Sequence, residues 1–384
     1  MWELKKLGDI CENLDSKRVP ITKAKRVSGE YPYYGASGIV DSVADYLFDE
    51  ELLLVSEDGA NLLARTYPIA FSVYGKCWVN NHAHVLRFKS QTTQRFIELY
   101  LNSISLAPYV SGMAQPKLNQ RSLNSIPVPF PEIEVQAQLV SKLDATFADI
   151  NKAKQNAEQN LKNASELFDS YLQNVFSKTG DTWTENSLLE ITVKIGSGAT
   201  PRGGKAAYKL EGMSLIRSMN VHDREFRTKD LALIDDEQAK KLKNVEVETK
   251  DVLLNITGAS IARCCVVPDS YLPARVNQHV SIIRVDQNII RPDFLCFLLT
   301  SKFYKDILLE VGGAGATREA ITKTQLQNFK VSFPCSLEEQ DALLARLKDM
   351  ETKVVRLQSI YKMKIEALDE LKQSILQKAF SGEL

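Results

Sequence analysis

The chain is written twice. Residues 134–177, EVQAQLVSKLDATFADINKAKQNAEQNLKNASELFDSYLQNVFS, align without a gap on residues 338–381, EEQDALLARLKDMETKVVRLQSIYKMKIEALDELKQSILQKAFS. Gln136 falls opposite Gln340 and Phe176 opposite Phe380, a constant offset of 204. Constant spacing over such a stretch implies two helices of equal length. Upstream the match continues but drifts: LNSIPVPFP (123–131) with LQNFKVSFP (326–334), VNNHAHVLR (79–87) with VNQHVSIIR (276–284), DGAN (58–61) with TGAS (257–260), Trp2 with Trp183, and Pro20 with Pro201. There the offset starts at 181, so the second copy is longer through loop insertions. Each half is a variable globular part followed by a fixed-length helix, with expected boundaries at 1–131, 132–180, 181–334 and 335–384.

The two helices carry a coiled-coil seam. In the first, Leu143, Phe147, Ile150, Ala157, Leu161, Ala164, Phe168, Tyr171 and Val175 follow steps of four and three, with one stride of seven across Lys154. The second echoes it with Leu347, Val354, Tyr361, Ile365, Leu368, Ile375 and Ala379, broken by Glu351, Gln358 and Lys372. Each helix runs to roughly 65 Å, more than one small domain covers, so the helices are expected to pack on each other. Two copies of one unit relate most simply by a two-fold axis, which makes the pair antiparallel with a globular part at either end.

The globular parts read as mainly β with interspersed helices. ELLLVSE, IAFSVYG, HVLRF, DVLLNIT, RCCVVP and VSIIRV are strand-like runs bounded by turn residues. Residues 92–104 and 291–311 have helical periodicity, the second with Pro near its first turn. This irregular mixing favours an α+β fold over a doubly wound sheet.

Local chemistry is sparse. GSGATPRGGK (196–205) invites comparison with a phosphate-binding loop, but the register fails: Ala199 stands where the first Gly belongs and Ala206 where the Ser/Thr belongs. Cys11, Cys77, Cys264, Cys265, Cys296 and Cys335 form no C-x-x-C and read as reduced thiols, with Cys264 and Cys265 in a core strand. His82, His84, His222 and His279 form no catalytic or zinc spacing, and no carboxylate or thiol stands at ligand spacing beside His82 and His84. No metal site is expected. No apolar run is long enough for a bilayer and the first residues lack a signal-peptide core, so a cytoplasmic location is expected.

The order of these motifs resembles the specificity subunit of type I restriction-modification enzymes over essentially the whole chain. KRVPITKAKRVSGEYPYYGASGIVD (17–41), SEDGANLL and KCWVNNHAHVLRF look like one variant of that family's target-recognition domain. VKIGSGATPRGGKAAY (193–208), ITGASIARC and VNQHVSIIR resemble another, and the paired PFPEIEVQ and SFPCSLEEQ junctions look like its conserved helical regions. Gly198, Ala199, Thr200 and Pro201 then match the family's G-x-T-P turn, in which Gly permits a positive φ, Thr bonds its own backbone and Pro fixes the exit. The resemblance implies a non-catalytic subunit whose two domains each read half of a bipartite, asymmetric DNA target. It implies two methyltransferase subunits and motor-nuclease subunits as partners. It places S-adenosylmethionine, ATP and Mg in those partners, with no cofactor on this chain.

Charge is consistent but modest. The 48 basic and 48 acidic side chains cancel, yet the balance is +1 over 1–131, −3 over 132–177, +3 over 178–335 and −1 over 336–384. The excess sits in the globular parts, where phosphate contacts are expected. Lys17, Arg18, Lys23, Lys25 and Arg26 are candidates for positioning on phosphate in the first half, and Arg202, Lys205 and Lys209 in the second. Loop side chains suited to base edges are Asn61, Arg65, Lys117 and Arg121, then Arg217, Asn220, Arg263 and Arg318. Asn80, Asn81 and His82 recur as Asn277, Gln278 and His279. Recurrence in domains that read different sequences argues for scaffold hydrogen bonding. The rival readings are a methyltransferase-only assembly without restriction and a coiled-coil scaffold without DNA specificity.

Overall fold

The computed structural model describes residues 2–112, 115–177, 182–201, 203–313, 320–381 and 383. The chain divides into two compact units, Met1–Glu158 with Lys362–Leu384, and Gln159–Tyr361. Two long helices, the central helix Ile133–Phe176 of 44 residues and the terminal helix Leu337–Ser381 of 45, each contribute to both. No described helix is long and apolar enough to cross a membrane.

Unit 1 contains β1 (Leu4–Lys6), β2 (Glu12–Asn13), β3 (Tyr31–Gly35), β4 (Gly38–Val43), β5 (Phe48–Asp49), β6 (Leu52–Ser56), β7 (Ala70–Val73), β8 (Lys76–Val79), β9 (Ala83–Arg87) and β10 (Pro127–Pro129). They form sheets of order β2-β9-β6-β7, β4-β3-β8-β5 and β1-β10. Helix Gln91–Ser103 follows β9; its Ser90 cap accepts from the Thr93 N–H, and Phe96, Ile97 and Leu101 on its inner face are fully buried.

Unit 2 contains β11 (Trp183–Ser187), β12 (Thr192–Ser197), β13 (Met213–Ile216), β14 (Val221–His222), β15 (Glu225–Phe226), β16 (Ala232–Ile234), β17 (Glu246–Val247), β18 (Val252–Asn255), β19 (Cys264–Val266), β20 (Ala274–Val276), β21 (Val280–Val285) and β22 (Lys330–Pro334). Their sheet orders, β12-β21-β18-β19, β16-β13-β20-β17 and β11-β22, repeat those of unit 1 strand for strand. Even the parallel pair recurs, β3 with β8 and β13 with β20. The hairpin β14-β15 has no counterpart and is one of the insertions behind the drifting offset. Residues 291–311, which read as one helix, form two, Pro292–Thr300 and Lys302–Gly313. Ser301 breaks them with an extended backbone (ψ 146°), its hydroxyl bonded back to the Leu298 carbonyl at 2.6 Å.

Each unit fastens its sheets to the long helices in the same way. The side-chain amide of Gln136 donates to the Pro131 carbonyl at 2.8 Å and accepts from Thr93 Oγ1 at 2.9 Å. Gln340 donates to the Pro334 carbonyl at 2.8 Å and accepts from the Arg291 N–H at 2.9 Å. Both are buried, so each amide replaces water at the first turn of its helix. Trp2, Phe96 and Phe380 make an edge-to-face trio in unit 1, with ring centroids 6.5 and 5.2 Å apart, and Trp183, Phe294 and Phe176 repeat it in unit 2 at 6.5 and 5.5 Å.

The helix segments within each unit run antiparallel. In unit 1 Lys154 pairs with Asp369 at 2.6 Å, while Lys372 lies over the Phe147 ring at 5.2 Å; in unit 2 the Gln358 amide donates to Ser165 Oγ at 2.8 Å. Leu143, Phe147 and Ile150 pack with Leu376 and Ala379. Phe168, Leu347 and Val354 merge with the core of the unit 2 sheets. The helices thus pack on each other and on their domains. Leu161, Tyr171, Val175, Tyr361, Ile365, Leu368 and Ile375 are only half-buried, and near the helix ends Leu172, Phe176 and Leu376 are the closed positions. Leu172 and Phe176 face the core of the unit 2 domain, so burial there follows the 3.6-residue period rather than the 3.5-residue seam, while Leu376 packs with both Leu99 of the unit 1 domain and the central helix. All three polar breaks have partners: Lys372 over Phe147, Gln358 on Ser165, and Glu351 on Arg224 at 2.7 Å.

Candidate nucleic-acid interface

At one edge of each sheet pair, three loops are tied by the same backbone lattice. In unit 1 the Glu57 N–H donates to the His82 carbonyl (2.9 Å), the Leu118 N–H to the Glu57 carbonyl (2.8 Å) and the Asn80 N–H to the Tyr34 carbonyl (3.0 Å). In unit 2 the Ile256 N–H donates to the His279 carbonyl (3.0 Å), the Ile321 N–H to the Ile256 carbonyl (2.8 Å) and the Asn277 N–H to the Ile216 carbonyl (3.0 Å). Asn80 and Asn277 are buried, and each side-chain oxygen accepts from the histidine N–H two residues on, at 2.7 and 3.0 Å. These asparagines therefore build the turn. The residue between, Asn81 or Gln278, is exposed in both units.

The described candidates fall into three groups. Lys17, Lys23, Lys25, Arg121, Lys205 and Arg263 have no ion pair among the described residues, and all but the half-buried Arg263 are exposed. Lys117 and Lys209 are exposed but reach Glu57 at 3.2 Å and Asp235 at 3.4 Å. The others are taken up by the fold. Arg18 donates to Glu57 and to the Ala83 carbonyl, both at 2.7 Å, and Arg26 to Asp41 at 2.9 Å. Asn61 closes its own loop on Tyr67, and Arg65, at φ 56°, donates to the Leu101 and Ile104 carbonyls. Arg217 donates to the Asp230 carbonyl, and Asn220 is fully buried on the Arg217 N–H and the Arg227 carbonyl. Arg202 and Arg318 lie outside the described residues.

The turn at 198–201 works differently from its sequence reading. Gly198 does not have a positive φ; glycine is needed because a Cβ there would lie 1.8 Å from the Val276 carbonyl oxygen. Thr200 donates not to its own backbone but to the Gln278 side-chain oxygen.

Folding also supplies His84 with carboxylates that the linear spacing hid. Asp15, Glu57 and His84 have atoms within 4.8 Å of one another. His84 Nδ1 faces Asp15 Oδ2 at 2.5 Å and Nε2 faces the Leu118 carbonyl at 2.7 Å. Both partners are hydrogen-bond acceptors, and they hold the ring between β9 and the segments that carry Asp15 and Leu118. Burial alone would raise the Asp15 carboxyl, but the His84 hydrogen bond and charge, the Val85 N–H and Arg18 together hold it below its ordinary value. Glu57 is lowered likewise, against burial, by Arg18, His84 and Lys117. A lowered carboxylate contributes stability above its unfolded pKa and loses it as pH falls through the folded value. The thermal stability of unit 1 should therefore fall as pH drops below about 4. Arg18→Met should cost about 2 kcal/mol, or about 4–8 °C in Tm. Lys25→Met should leave Tm within about 1 °C while lowering the salt slope of DNA binding by about one. Equal effects of the two substitutions on Tm would contradict this division of roles.

Burial closes the thiols as well. It pushes Cys77 up to about 11 and Cys11 up to about 12, and raises the fully buried Cys264 and Cys265, which pack in β19; Cys335 is exposed.

A duplicated α+β framework on paired long helices carries, on each copy, exposed polar turns and cations that have no ion pair among the described residues. The family model for the type I restriction modification DNA specificity domain matches residues 1–159 and 182–367, and the chain belongs to that family. A putative type I restriction enzyme specificity subunit of Haemophilus influenzae is 38% identical over 146 residues, 38% of this chain and 37% of that one. The MjaVIII specificity subunit of Methanocaldococcus jannaschii is 22% identical over 404 residues, covering 100% of this chain and 93% of the relative. Among solved structures, a chain from a study of type I restriction-modification complex assembly and conformational transition superposes with a TM-score of 0.75 at 19% identity, over 100% of this chain and 98% of that one. The HsdS subunit of Thermoanaerobacter tengcongensis gives 0.56 at 17%, over 100% and 97%. These two share the fold. The family's role is DNA specificity, carried by a subunit type that is generally non-catalytic.

Proposed function

We propose that each unit reads one half of a bipartite, asymmetric duplex target, and that the long helices set the unread spacer and dock two methyltransferase subunits. The observation that carries this is the strand-for-strand repeat of the sheets combined with different side chains on the equivalent loops. One framework bearing two different reading edges suits two different half-sites. Motor-nuclease subunits complete the restriction enzyme, and S-adenosylmethionine, ATP and Mg belong to the partners. This chain contributes recognition and no bond-breaking chemistry.

The test is reconstitution. Alone, the chain should neither methylate nor cut DNA. With its cognate methyltransferase subunit and S-adenosylmethionine, it should give adenine methylation at one two-part sequence. Methyl transfer by the isolated chain, or methylation without a two-part target, overturns the proposal.

A further inference from the structure

We propose that Gln278 reads an adenine in the major groove of the second half-site, with Asn81 its counterpart in the first. This rests on the DNA-recognition reading above and names the side chains that carry it.

The repeated turn V-N-x-H has a buried part and a projecting part. Asn80 and Asn277 are 6% and 4% exposed and hold the turn, whereas the x position is exposed in both units. The scaffold is shared and the presented residue differs, as two domains with unlike targets require. Both occupants, Asn and Gln, carry the amide that pairs with adenine through two hydrogen bonds.

Gln278 is also oriented for that contact. Thr200 Oγ1 donates to its Oε1, and its Nε2 lies 3.0 Å from His279 Nε2. An amide nitrogen only donates, so His279 Nε2 accepts and the imidazole proton sits on Nδ1, aimed at Thr257 Oγ1 at 2.5 Å. An amide offers two lone pairs on oxygen and two N–H donors, and the protein takes one of each. One lone pair and one N–H remain. They match the N6 donor and N7 acceptor of adenine, and they mismatch guanine, which presents only acceptors at O6 and N7. Thr200 and His279 act through Gln278 and are positioning residues. The close approach of Gly198 to the Val276 carbonyl brings the Thr200 turn within reach of residues 276–279. Lys205, which follows that turn, and Arg263, which follows the Thr257 loop, have no ion pair among the described residues.

The experiment maps methylated adenines in a host that expresses the full chain with its methyltransferase subunit, for wild type, Gln278→Ala, Gln278→Arg, Thr200→Val, Thr200→Ser and Asn81→Ala, with thermal unfolding of each chain measured in parallel. Gln278→Ala should loosen one adenine position of the second half-site by about 5- to 150-fold, with the first half-site and the unfolding temperature unchanged. Gln278→Arg should shift that position toward guanine. Thr200→Val should loosen the same position more weakly, and Thr200→Ser should restore it. Asn81→Ala should loosen one position of the first half-site alone. If the Gln278 variants methylate an unchanged target, or lose activity together with thermal stability, the glutamine is scaffold and the inference fails. If wild type shows no two-part target, it is the DNA-recognition reading that fails.

Discussion

Exchanging residues 1–131 for the corresponding part of a relative with a different first domain should replace one half of the DNA target and leave the other half unchanged. The expected effect is complete, a new half-site rather than a weakened old one, because the reading edge of unit 1 is built from loops that all lie before the central helix. The junction has to respect how that domain is fastened. Thr93 meets Gln136, Arg95 pairs with Asp144 at 2.6 Å, and the Phe380 ring packs edge-on to Phe96 and Tyr100 at 5.2 and 5.3 Å. A donor domain lacking a hydroxyl or N–H opposite Gln136 would leave its buried side-chain oxygen unpaired, at a cost of about 1–3 kcal/mol. A donor lacking the aromatic opposite Phe380 would leave a cavity at the end of the terminal helix, costing about 3–5 kcal/mol. With both kept, methylation mapping should show one half replaced. If both halves change together, recognition is not divided between residues 1–131 and the rest.

The same contacts show what the sequence makes legible. ELLLVSE, HVLRF, DVLLNIT and VSIIRV have mainly apolar centres because β6, β9, β18 and β21 lie in the middle of covered sheets, and they stand out for that reason. The strands missing from that reading, such as β2, β5 and β17, are two residues long, and their pairing is set by tertiary context. The gapless repeat made the long helices plain, while the departure of burial from the seam at Leu172 and Leu376 depends on which surface each helix end meets. Candidate contacts were the least legible. Composition marks Arg18, Arg26, Asn61, Arg65, Arg217 and Asn220 as suited to DNA, but whether a cation or amide is free depends on acceptors far away in sequence, such as Glu57 for Arg18 and the Leu101 carbonyl for Arg65. The repeated N-x-H carried the opposite signal. Repetition points to scaffold, correctly for Asn80 and Asn277, and it hides the projecting residue between.

Lengthening both long helices by one heptad, near Ala157 in the central helix and near Tyr361 in the terminal one, should lengthen the unread spacer of the target by about three base pairs. Seven residues add about 10 Å of helix, and a base-pair step is about 3.4 Å. The two sites lie where the chain passes from one unit to the other, at Glu158/Gln159 and Tyr361/Lys362, so the insertion leaves the contacts inside each unit intact. Lys154 keeps Asp369 on one side of it and Ser165 keeps Gln358 on the other. A heptad turns the helix by about −20°, so apolar positions still meet; four residues turn it by about +40° and should serve less well. Insertion into one helix alone cannot preserve both pairs, and it should lower thermal stability and methylation together. In the paired variant each half-site sequence should persist, because no residue of either reading edge has changed. Methylation mapping decides the matter: an active paired variant whose spacer equals that of the wild type would show that the helices do not measure the distance between the half-sites.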